Sequence, residues 1–70
     1  MKRIAVASSN VRSIGYDSET RTLEVEFKGG SVYEYYDVEP EVYSEFMKAP
    51  SKGRFLWNNI RDVYDYQRIE

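Results

Sequence analysis

A chain of 70 residues with no cysteine and no histidine has room for one domain around one small core. That composition excludes disulfides, thiolate metal cages, imidazole ligands and the usual general base near neutral pH. Ten basic and twelve acidic side chains leave a net charge of −2, without the basic excess that a general polyanion binder carries. In chain order, the opening "MKRIAVASSN" starts basic, but its apolar run is far too short for a signal peptide. No stretch approaches the length of a membrane span, so a cytoplasmic protein is expected.

Residues 11–17, "VRSIGYD", alternate Arg12, Ile14 and Tyr16 against Val11, Ser13 and Gly15, which suits a strand. The polar "DSETR" (17–21) reads as a turn. "TLEVEF" (22–27) sets Leu23, Val25 and Phe27 on one face and Glu24 and Glu26 on the other. "KGGS" (28–31) supplies glycines for a hairpin, and "VYEYYDV" (32–38) is a third strand rich in β-formers. Two short connections predict an antiparallel meander.

Helical spacing takes over at Pro40, where a missing N–H costs nothing at a helix start. Val42, Tyr43, Phe46 and Met47 make an apolar stripe, Pro50 ends it, and Ser51 is suited to cap a second helix. On that second helix Phe55, Leu56, Asn59, Ile60 and Val63 share one side, while Arg54, Asn58 and Arg61 share the other with Trp57 at the border. The tail "YDYQRIE" reads as extended, able to add a short strand at a sheet edge. The expectation is a single α+β domain over 1–70, with its core in about 8–69. It consists of a three-stranded antiparallel β-meander followed by two α-helices packed on one sheet face. Leu23, Val25, Phe27, Val42, Phe46, Phe55, Leu56 and Ile60 are its predicted core. Val32 and Tyr36 fall on the open sheet face as a candidate subunit contact, and so small a core favours a homo-oligomer.

No catalytic pattern emerges. Ser51 and Lys52 are neighbours on a helix start and diverge, so they do not make a Ser–Lys pair. The pairs Glu24/Glu26 and Glu39/Glu41 look solvated, and no phosphate loop, dinucleotide fingerprint or calcium loop is present. The chain is not expected to be an enzyme, nor to need a metal or cofactor. The stretch "SKGRFLWNNIRDVY" (51–64) nevertheless brings two cations, a glycine and a helix start together. Ser51, Lys52, Gly53 and Arg54 can hold a phosphate, Asn58 and Arg61 can add polar contacts, and Trp57 can stack a base. The plainer reading is a capped amphipathic helix. Tyr33 and Tyr35 read first as core with hydroxyls at the rim, and second as part of the same ligand site.

The segments "IGYD", "LEVEFKGGSVYEYYDV", "PEVYSEFMKAPSKGRF" and "IRDVYDY" together resemble the KTSC domain, over about residues 8–69. The shared pattern is Tyr33-x-Tyr35, then Ser51-x-Gly53-x-Phe55, then Ile60-Arg61 followed by Tyr64-x-Tyr66. The resemblance implies a domain found at the C-terminus of some lysyl-tRNA synthetases and as short free-standing bacterial and phage proteins. Through the synthetase attachment it implies RNA binding. This chain departs from the pattern at "FLWNNI", where Trp57, Asn58 and Asn59 replace a more polar or basic run. The acidic balance and the local cation–aromatic cluster favour a compact nucleotide or other small phosphate-bearing ligand over a long polyanion. RNA and a protein partner remain the alternatives. RNA binding predicts that Lys2, Arg3, Arg12, Lys28 and Arg68 extend the basic patch, whereas a nucleotide pocket predicts that they do not.

Overall fold

The computed structural model describes residues 2–70. Their order is β1 (Arg3–Ala5), β2 (Val11–Asp17), β3 (Thr22–Phe27), β4 (Val32–Tyr35), α1 (Pro40–Lys48), α2 (Lys52–Asn59) and β5 (Tyr66–Arg68). The strands form one antiparallel sheet in the order β1-β2-β3-β4-β5, with both helices inserted between the last two. The expected α+β class holds, but the sheet has five strands where the meander alone has three. β5 is the extended tail, paired to β4 with Tyr35 opposite Tyr66 and Tyr33 opposite Arg68. β1 is three residues long, too short to announce itself by alternation, and it forms against the ready edge of β2.

Local chemistry explains the turns. After β3, Gly30 takes a φ of 98°, and its N–H reaches the Phe27 carbonyl at 2.9 Å. After β4 the chain leaves the sheet earlier than alternation suggests, because Asp37 adopts a φ of 59° and the Val38 N–H bonds to the Arg21 carbonyl. Val38 is thereby fully buried. Pro40 begins α1, and Ala49 before Pro50 is extended, as a residue preceding proline prefers. Ser51 caps α2 through an Arg54 N–H bond to its Oγ at 3.3 Å.

One irregularity sorts the faces of β2. The register slips between Val11 and Ser13, so Val11, Ile14 and Tyr16 all turn toward the helices, although alternation would separate Val11 from the other two. Arg12, left over at the bulge, is exposed. The core is Val11, Ile14, Leu23, Val25, Tyr35, Val38, Phe46, Leu56 and Ile60. Phe27, Val42 and Phe55 of the predicted core pack against it and stay partly exposed. Val63 is not on an apolar helix face at all: α2 ends at Asn59, and Val63 is 64% exposed. The two helices meet through stacked Phe46 and Phe55 rings 5.5 Å apart, and Tyr43 of α1 stacks on Tyr16 at 4.7 Å.

The opposite sheet face carries Ser13, Glu24, Glu26, Val32 and Glu34. Arg3 pairs with Glu24 there, and the Ser13 hydroxyl donates to Glu26 at 2.8 Å. Val32 is 1% exposed and Tyr36 donates to Glu34, so these two do not form the open apolar pair expected of a subunit contact.

Candidate functional site

Alternation on β3 and β4 places Phe27, Tyr33 and Tyr35 on the helix face, and β5 adds Tyr66 beside them. The rings form a continuous floor. Phe27 meets Tyr33 edge-on at 5.7 Å, and Tyr66 lies 5.8 Å from both Tyr33 and Tyr35. Above one end of this floor runs α2, presenting Gly53, Leu56 and Trp57, residues one helical turn apart. The other wall comes from the β3–β4 hairpin through Lys28, Gly29 and Ser31, and from Ser9 and Asn10 before β2. Together they enclose an open groove of about 600 Å³.

Arg61 completes the groove from the turn after α2, with its guanidinium carbon 3.9 Å from the Trp57 ring centroid. Two cations, Lys28 and Arg61, line the groove, and no carboxylate does. Acids are held elsewhere: Glu24 and Glu26 lie on the opposite sheet face, and Glu39 accepts the Tyr64 hydroxyl at 2.7 Å. That bond holds the Glu39 carboxyl below its ordinary range, while burial first, and then the same bond, pushes the Tyr64 phenol up to about 12. Burial pushes the Tyr35 phenol up to about 12 as well, reinforced by Tyr33 and Tyr66 and opposed by the charge of Arg61. Tyr35 is therefore a neutral hydrogen-bond donor at physiological pH.

The structure divides the sequence-derived candidates into two groups. Gly53, Trp57, Arg61, Tyr33 and Tyr35 meet in the groove. Ser51, Arg54 and Asn58 line a smaller hollow of about 270 Å³ on another side of α2. Arg61 parts from Arg54 and Asn58 because the helix stops before it and the following turn carries it onto Trp57. Lys52 lines neither hollow, and its ammonium donates to the Ala49 carbonyl at 2.7 Å. The expected four-residue phosphate cradle at 51–54 is thus not assembled as one surface.

Sequence reasoning passed over Ser9, Asn10, Lys28, Gly29, Ser31 and Tyr66 as groove residues. A signal existed for the hairpin and for Tyr66. Phe27 and Tyr33 share a face by alternation, so the turn joining their strands overhangs that face. Ser9 and Asn10 offered none. Asn10 is brought in by α2: its Nδ2 lies 3.3 Å from the point where a Cβ on Gly53 would sit, so glycine admits this approach. Of the cations that an RNA surface would recruit, Lys28 lines the groove, whereas Arg3 is ion-paired on the opposite face and Arg68 bonds the Glu70 carbonyl.

Comparison with known proteins places this geometry in context. The sequence profile of the KTSC domain matches residues 7–64. An uncharacterized protein of Stutzerimonas stutzeri is 52% identical over 71 residues, covering the whole of both chains. A lysine–tRNA ligase of Nostoc punctiforme is 36% identical over 61 residues; the match covers 87% of this chain and 11% of the ligase. The crystal structure of a KTSC domain protein from Yersinia pestis superposes with a TM-score of 0.93 at 38% identity, covering 99% of this chain and 97% of that one.

Proposed function

The chain belongs to the KTSC domain family, and we propose that within it the groove between α2 and the sheet is a non-catalytic binding site for a nucleotide or another small phosphate-bearing ligand. The lining carries this reading: a floor of aromatic rings with the Arg61 guanidinium and no carboxylate, in a chain whose net charge is −2. Ring faces stack bases at about 1–3 kcal/mol each, and a guanidinium recognises phosphate. A groove of about 600 Å³ also lies within the range of small-molecule sites. Among the described residues no cluster of carboxylates could hold a metal ion, and no helix is long and apolar enough to cross a membrane.

Short single-stranded RNA is the second reading. It is favoured by the relatives named as lysine–tRNA ligases and by the position of Lys28. Two-dimensional NMR titration with AMP and then with a short RNA separates the two readings. Nucleotide binding predicts saturable shifts at Gly53, Trp57, Arg61 and the groove tyrosines with AMP. RNA binding predicts that the oligonucleotide binds at least about tenfold tighter and weakens steeply with salt. Unchanged spectra with both ligands refute both readings.

A further inference from the structure

Resting on the nucleotide reading above, we infer that the ligand's oxyanion is received in the groove by the Tyr35 hydroxyl and the Arg61 guanidinium, whose residues both line it, with Trp57 as the side chain that positions Arg61. The amino end of α2, the natural candidate from sequence, is then not the phosphate subsite.

Tyr35 is the first observation. The residue is 3% exposed, yet among the described residues the tyrosine hydroxyls that make hydrogen bonds are those of Tyr16, Tyr36 and Tyr64, not that of Tyr35. It is not sealed in either, since no fully buried side-chain polar atom there lacks a partner. The hydroxyl therefore keeps some solvent access, and its residue lines the groove. Tyr16 and Tyr64 behave differently: their hydroxyls are taken by the Val38 carbonyl and the Glu39 carboxylate. A buried phenol left with a free O–H in a cavity is a donor awaiting an acceptor.

Arg61 is the second. It makes no ion pair among the described residues, although the chain is acidic. Its guanidinium carbon lies over the Trp57 ring at 3.9 Å, and none of the guanidinium N–H groups is hydrogen-bonded to another described residue. The same contact occupies one face of Trp57, and the tyrosine floor offers further rings to a base. Arg61 and Tyr35 line the same groove.

The amino end of α2 offers less. Ser51 Oγ already accepts the Arg54 N–H, the Lys52 ammonium is on the Ala49 carbonyl, and Arg54 faces the other hollow. A neutral O–H donor and a planar cation lining one groove suit the oxygens of a phosphate monoester or diester. From Tyr35, opposite Leu23, to Phe27 the floor runs four residues along β3. That is about 13 Å, enough for a sugar and base.

The test uses the full chain and three probes, adenosine, AMP and inorganic phosphate, followed by NMR at the groove amides, the Trp57 indole N–H and the Arg61 Nε–H. Tyr35→Phe removes a hydroxyl that has no protein partner, so the fold is retained, as far-UV circular dichroism will check. Tyr35→Phe and Arg61→Gln should each cut the preference for AMP over adenosine by about tenfold, leaving adenosine binding within about twofold. Arg54→Gln should leave that preference unchanged. Trp57→Ala should lower it, Trp57→Phe should restore most of it, and the Arg61 Nε–H shift on adding phosphate should follow the same order.

An unchanged preference in Tyr35→Phe and Arg61→Gln, with AMP still bound in the groove, overturns this assignment and leaves the nucleotide reading standing. Phosphate-induced shifts at Tyr35 and Arg61 without binding of either nucleoside probe do the reverse. A groove silent to all three probes overturns both.

Discussion

Phe46 offers the most direct measure of whether the core is built as described. Its side chain is fully buried, packs among residues from the sheet and stacks on Phe55 of the neighbouring helix at 5.5 Å. Truncation to alanine removes the ring and leaves a cavity bounded by secondary structure, which should cost about 3–5 kcal/mol. At roughly 0.05–0.15 kcal/mol per residue, a 70-residue domain holds about 3.5–10 kcal/mol in all. Phe46→Ala should thus sit close to the unfolding threshold at room temperature, while Phe46→Leu, losing about 1–2 kcal/mol, stays measurable. Urea denaturation followed by far-UV circular dichroism reads both, and Val63→Ala serves as the contrast. Val63 is 64% exposed and should change stability by no more than about 0.5 kcal/mol. A double-mutant cycle of Phe46→Leu with Phe55→Leu should return a coupling of about 0.5–1.5 kcal/mol from the ring stack. Equal, small midpoint shifts for Phe46→Ala and Val63→Ala would refute the assigned packing of α1.

Ser51→Ala should lower stability by about 1 kcal/mol in the same assay, because the Arg54 N–H loses its acceptor at the start of α2. An unchanged midpoint would mean that the cap contributes nothing. Gly53→Ala gains helix propensity of up to about 1 kcal/mol, and the exposed Asn10 amide can swing aside from the new methyl. A net rise in melting temperature is therefore expected, and a fall would show that Asn10 is rigidly held. At alkaline pH, Tyr35 and Tyr64 have folded pKa values raised from 10 to about 12, so the neutral phenol is favoured by the fold. Their contribution is fully present below pH 10 and is lost as pH climbs through 12. Phenolate absorbance should show Tyr35 and Tyr64 in the late-titrating phase, and that phase should shrink in Tyr35→Phe and in Tyr64→Phe.

The sequence alone determined the elements whose signals are local. Alternation in residues 22–27, the glycines after Phe27, Pro40 at a helix start and Ser51 at another each act within a few residues, and each is realised. So is the family resemblance, carried by the order of Tyr33-x-Tyr35, Ser51-x-Gly53 and Ile60-Arg61. Tertiary structure decided what depends on distant partners. β1 exists because β2 offers it an edge, and Val11 joins the core because a bulge reverses the alternation. The candidate site was divided for the same reason. A helical wheel grouped Arg54, Asn58 and Arg61, but the wheel assumes a helix that continues, and α2 ends at Asn59. Beyond that point the chain is free to turn, and stacking on Trp57 draws Arg61 toward the tyrosine floor instead. Periodicity describes a side chain's direction only while the backbone keeps its period. Where the period breaks, packing sets the direction.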